Sequence, residues 1–217
     1  MKVQIVPTIL TPNFAEFKKR LKIVEPFFDL VQIDCADGKL VKNKTFYDKS
    51  EICNLKSEIC YELHLMVKEP LKEIKKWAGF KKLKSVIFHI EAVKNDKKIL
   101  EIINYLHQKV IKAGLAINLE TKVEKVMKIL PKLDVLQVMG VKPGWGGQEI
   151  KLKVVKSKVH KVRKMFPKLD IEVDGGVNLQ NAEQIIKAGA NILAVGKSLN
   201  SEAAITNFKK LIKEIKS

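Results

Sequence analysis

Residues 170–198 read DIEVDGGVNLQNAEQIIKAGANILAVGKS, and this stretch holds a strand, a glycine loop, a helix and a second strand in order. The runs 170–174 and 192–196 are short and β-type, bounded by glycines, and Gly189 sits where a helix C-terminal cap belongs. The second run is almost wholly apolar, as a parallel strand covered on both faces requires. Working outward, the same alternation of short β-type runs with longer amphipathic stretches recurs along the chain. Eight strands are predicted, at 3–9, 30–34, 60–65, 85–89, 114–118, 135–139, 170–174 and 192–196. Asn13-x-x-Glu16 and Thr121-x-x-Glu124 read as capping boxes that open helices. Ile205, Phe208, Leu211, Ile212 and Ile215 trace the buried stripe of a last helix. Eight βα units in roughly 200–250 residues make a single (β/α)₈ TIM barrel, here one α/β domain over residues 1–217.

Composition narrows the function classes. With 46% hydrophobic and 30% charged residues the chain can bury a sizeable core, and disorder is excluded. Apolar runs such as 114–117 and 192–196 fall far short of a membrane span of roughly 20 residues. The N-terminal residues read directly as a strand, without the apolar core and cleavage site of a signal peptide, so a cytoplasmic location is expected. Cys35, Cys53 and Cys60 show neither C-x-x-C nor zinc spacing and read as reduced thiols. The net charge of +17 invites a nucleic-acid reading. Yet only Arg20 and Arg163 among the 41 basic residues are arginines, and the lysines are spread along the whole chain. Base readout and phosphate clamping favour the arginine fork, so a solvated basic surface that steers anionic substrates is the better reading.

Polar residues collect where such a barrel keeps its chemistry, at the C-terminal ends of the strands. Asp34, His64, His89 and Asp174 end or nearly end the second, third, fourth and seventh strands. Glycine loops follow the last three strands: Pro143-Gly144-Trp145-Gly146-Gly147-Gln148, Asp174-Gly175-Gly176 and Gly196-Lys197-Ser198. Backbone N–H groups in such loops cradle an anion, so a phosphorylated small molecule is the expected ligand. His107 and His160 fall within helices and read as surface or packing residues. Trp145 reads equally as a cover over the ligand or as packing.

Several segments together resemble the ribulose-phosphate 3-epimerase family over essentially the whole chain. They are Pro7-Thr8-Ile9-Leu10, Gln32-Ile33-Asp34-Cys35-Ala36-Asp37-Gly38, His64-Leu65-Met66-Val67, His89-Ile90-Glu91-Ala92, the loop 143–148, and Glu172-Val173-Asp174-Gly175-Gly176-Val177. The resemblance implies interconversion of D-ribulose 5-phosphate and D-xylulose 5-phosphate in the pentose phosphate pathway. It further implies a divalent metal (zinc, iron, manganese or cobalt), a homo-oligomer, Asp34 and Asp174 as the acid/base pair, and His64 as a metal ligand beside the two aspartates. The substrate would be lined by Thr8, His64, Met66, Met139, Gly144, Gly146, Gly147, Gln148, Gly175, Gly176, Gly196 and Lys197.

The sequence departs from the family pattern at Gln32, where a histidine ligand is usual, at Thr8 for serine, at Ala36 for methionine, and at Gly140 and Lys142. An amide oxygen binds zinc or iron less well than imidazole, so Gln32 is at best a weak fourth donor and the metal is expected to be weakly held. Three readings follow: a pentulose-phosphate 3-epimerase with a modified metal site, an epimerase of another ketose phosphate such as a hexulose 6-phosphate, and a non-catalytic sugar-phosphate binder with a degraded metal site.

Overall fold

The eight apolar runs pair side by side in chain order into a closed parallel barrel. The computed structural model describes residues 2–216; Met1 and Ser217, the ends of the expected domain, lie outside the described residues. The strands are β1 (Gln4–Ile9), β2 (Leu30–Ala36), β3 (Cys60–Met66), β4 (Leu83–His89), β5 (Lys112–Ile117), β6 (Val135–Met139), β7 (Asp170–Asp174) and β8 (Ile192–Val195). Around them lie α1 (Phe14–Val24), α2 (Lys49–Cys53), α3 (Pro70–Trp77), α4 (Asp96–Gln108), α5 (Leu152–Met165), α6 (Leu179–Lys187) and α7 (Glu202–Lys216). No described helix is long and apolar enough to cross a membrane.

Side chains alternate across each strand, so one set meets the helices and the other fills the barrel. Ile33, Leu63, Leu65 and Phe88, all buried, belong to the main core shared with helix residues such as Phe17, Ile74, Trp77 and Phe208. The opposite set is partly apolar, with Val6, Ile87, Ala116, Val135 and Ile192 forming a second cluster. It also holds Gln32, Glu62, Gln137 and Glu172, each buried.

Sequence and structure part in the fifth unit. Thr121-x-x-Glu124 was expected to cap a helix, but β5 and β6 are joined only by two short 3₁₀ turns, Val123–Lys125 and Leu130–Lys132. The Thr121 hydroxyl donates to Glu91 instead of capping a helix. Asn13 does cap α1, accepting the Glu16 N–H at 3.0 Å. Gly189, at φ +116°, lies one residue past the cap of α6.

Candidate active site

Parallel pairing in register carries the strand-end polar residues to one end of the barrel. Asp34 pairs with His64 across β2 and β3, and Met139 pairs with Asp174 across β6 and β7. The result is a buried cluster in which His64 Nδ1 lies 2.9 Å from Asp34 Oδ1 and 3.2 Å from Asp174 Oδ2. One ligand atom from each of the three residues falls within 4.8 Å of the others, a set that can hold a metal ion. Two carboxylates and an imidazole on a single point suit a divalent cation with open positions. Without a cation, a proton serves the same purpose. Burial works against a charged His64, but hydrogen bonds to Asp174 and Asp34 outweigh it and lift the imidazole to about 10. Burial also raises Asp34, partly offset by its hydrogen bond with His64.

Gln32 faces the cluster with its nitrogen. Nε2 donates to Asp34 Oδ1 at 3.1 Å, and Oε1, the only atom able to bind a cation, accepts from Gln137 Nε2 at 3.1 Å. Gln137 also donates to Glu172 Oε1 at 2.7 Å. Glu172 lies beside Glu62, whose charge acts on it, and Glu62 in turn accepts from the Ser85 hydroxyl at 2.5 Å. Burial raises both carboxyls, and the neighbouring Glu62 charge raises Glu172 further. A polar belt thus crosses the barrel one layer beneath Asp34. The reading of the sequence missed Glu62, Gln137 and Glu172 as part of the site's support. The available signal was spacing, since Gln32, Glu62 and Glu172 each precede a cluster residue by two and so share its barrel-facing side.

Above the cluster opens a cavity of about 890 Å³, within the range of a ligand site. Thr8, Asp34, His64, Met66, Met139 and Asp174 line it, as do Gly144, Gly146, Gly147, Gln148, Gly175, Gly176, Gly196 and Lys197; Gln32 does not. Gly176 has φ +74°, and a Cβ there would lie 2.8 Å from Ile150 N, so only glycine fits. Gln148 Nε2 donates to the Lys142 and Trp145 carbonyls at 2.7 and 2.8 Å, which makes it a brace for its own loop. Trp145 is 56% exposed at the rim. Other lining residues were not anticipated as parts of the site, Arg20, Asn43 and Lys44 among them. Arg20 of α1 donates to the Leu199 and Gly196 carbonyls at 2.6 and 2.5 Å and fixes the loop after β8. Asn43 ties the loop after β2 to Gly144, and Lys44 adds a cation to the wall. His107 and His160 lie away from the site, and His107 bonds Asp134 on the surface.

Residues 4–200 match the ribulose-phosphate 3 epimerase family. The chain is 32% identical over 224 residues to the ribulose-phosphate 3-epimerase of Bacillus subtilis, covering 99% of this chain and 98% of that protein. It is 30% identical over 219 residues to the ribulose-phosphate 3-epimerase of Escherichia coli K12, covering 98% of this chain and 94% of that one. Among solved structures it resembles a mutant tryptophan synthase α-subunit from Pyrococcus furiosus, with a TM-score of 0.72 at 12% identity over 98% of this chain and all of the other. That last likeness concerns the fold alone.

Proposed function

Because this chain belongs to the ribulose-phosphate 3 epimerase family, we propose that it interconverts D-ribulose 5-phosphate and D-xylulose 5-phosphate, with Asp34 and Asp174 moving the C3 proton. The observation that carries this reading is the buried Asp34–His64–Asp174 cluster at the floor of the glycine-walled cavity. The C3 hydrogen is α to the C2 carbonyl, so its removal leaves an enediolate, and inversion needs a proton returned to the opposite face. Asp34 on β2 and Asp174 on β7 stand on strands separated by β1 and β8, which suits one carboxyl for each face of a flat intermediate. Asp34, His64 and Asp174 would hold a divalent ion, which when bound supplies a Lewis acid for the charge that develops on the ketose oxygens. Gln32 keeps Asp34 in place through its amide N–H. The loops at Gly146–Gly147, Gly175–Gly176 and Gly196–Lys197 would take the phosphate, with Lys197 Nζ close enough to Gly147 that a Cβ there would lie 2.9 Å away.

The test is solvent exchange of the C3 hydrogen of ribulose 5-phosphate, run with added divalent metals and against a panel of five- and six-carbon ketose phosphates. Asp34→Asn and Asp174→Asn should each fold normally and lower turnover by ~10²–10⁴-fold, the usual contribution of a positioned acid or base. Turnover near the native rate in either variant would remove that residue from its role. A six-carbon ketose phosphate turned over in preference would replace the substrate.

A further inference from the structure

The motif His89-Ile90-Glu91-Ala92 has no part in the proton transfer above, yet it lies directly behind His64. His64 Nε2 and His89 Nε2 are 2.8 Å apart with the rings stacked, and His89 Nδ1 is 3.2 Å from Glu91 Oε2. The other carboxylate oxygen of Glu91 accepts the Asn118 N–H at 3.0 Å and the Thr121 hydroxyl. Lys158 Nζ grips the carbonyls of Asn118, Leu119 and Thr121 at 2.6 to 2.8 Å, so the loop that holds Glu91 is itself held. Both histidines are fully buried, which leaves no water to offer either ring another partner.

We propose that Glu91 is a positioning residue for His64: acting through His89, it decides which ring nitrogen of His64 carries a proton and so leaves Nδ1 free to bind a cation. This rests on the reading of His64 as a metal ligand. The argument is one of hydrogen-bond polarity. Three groups reach Glu91, the Asn118 N–H, the Thr121 hydroxyl and His89 Nδ1, and an ionised carboxylate only accepts; these contacts overcome burial and hold it down at about 2. His89 Nδ1 must therefore carry a hydrogen. A neutral imidazole has one N–H, so His89 Nε2 presents its lone pair, and the facing His64 Nε2 must be the donor. The remaining nitrogen of His64, Nδ1, faces the two aspartates: it holds a second proton while no cation is bound, and it offers a lone pair once a cation replaces that proton. Buried partners that fix a ligand's tautomer are a regular part of metal sites, and their loss typically weakens metal binding ~10–100-fold.

Glu91→Gln tests this with almost no change of shape. Asn118 N–H and Thr121 O–H keep the amide oxygen on their side, so the amide nitrogen faces His89 Nδ1, donor against donor. The His89 proton should move to Nε2, which leaves His64 Nε2–H no acceptor, so that the neutral His64 ring keeps its one proton on Nδ1 and resists giving it up to a cation. Calorimetric titration of the purified protein with Mn²⁺ and Co²⁺ should show affinity reduced ~10–100-fold, with an unchanged circular dichroism spectrum. Nitrogen-15 NMR of the metal-free protein should find the His89 proton on Nδ1 in the native chain and on Nε2 in Glu91→Gln. Thr121→Val, which removes a brace but keeps the carboxylate, should leave that proton on Nδ1. A His89 proton that does not move, or native metal affinity in Glu91→Gln, would overturn the proposal. Movement of the proton in a protein that binds neither ion even in its native form would instead overturn the metal reading and leave the relay standing.

Discussion

Gln32 can offer its amide to Asp34 or to a cation, and the hydrogen bonds on either side settle the choice. Its nitrogen is drawn to a carboxylate and its oxygen to Gln137, so Asp34, His64 and Asp174 are left as the three donors that could hold a metal ion. Three good ligands suffice for a catalytic ion, but a fourth strong donor tightens it. Gln32→His should therefore raise the metal content of the purified protein, measured by elemental analysis, and raise epimerase turnover with it. Gln137 keeps a partner in Glu172, so the belt survives the change. A native protein already saturated with metal and indifferent to Gln32→His would show that no donor is lacking. Asp34, His64 and Asp174 were legible in the sequence because a charged residue at the end of an apolar strand has few structural uses. Gln137 and Glu62 were not, because a single polar residue within a strand looks like ordinary alternation until register puts several of them side by side. The direction of the Gln32 amide was equally hidden, since it depends on a residue 105 positions away.

At the scale of elements, the strands were legible to within a few residues, because apolar runs covered on both faces admit no other reading. The missing helix between β5 and β6 was not. Thr121 has the right chemistry for a cap, but a nearby carboxylate won its hydroxyl, and local signals of this kind yield to tertiary partners. The end of α4 shows the opposite case, a local misfit kept in the fold. Val110 has φ +57° with 92% of its surface exposed, a left-handed conformation that a β-branched residue reaches only at a cost of roughly 1–2 kcal/mol. Ile111 N donates back to the Leu106 carbonyl around it, the bond that closes such a helix end. Glycine adopts this conformation freely but loses more freedom on folding, by roughly 0.5–1 kcal/mol. Val110→Gly should thus stabilise the protein by a margin of about 0.5–1 kcal/mol, raising Tm by about 1–4 °C in a chain of this size. Calorimetry decides it, and a lowered Tm would mean that the Val110 side chain packs in solution.

The whole molecule is strongly basic, and the cavity shares in that: Arg20, Lys44, Lys142 and Lys197 line it against Asp34 and Asp174. Long-range attraction should draw a sugar phosphate to the barrel mouth, so kcat/KM should fall as NaCl is raised across the physiological range, while kcat changes little. A flat profile would mean that the lysines act on solubility alone. The closed barrel also has a history in time. One seam joins the first strand to the last, with Gln4 of β1 opposite Ile192 of β8, and about 190 residues lie between them. At the usual pace of synthesis, about 5–20 residues per second, β1 waits roughly 10–40 s on the ribosome for its second neighbour. Throughout that wait one edge of an apolar strand is open to any chain nearby. Arg20, which reaches from the first helix to the carbonyls after the last strand, can engage only when the wait is over.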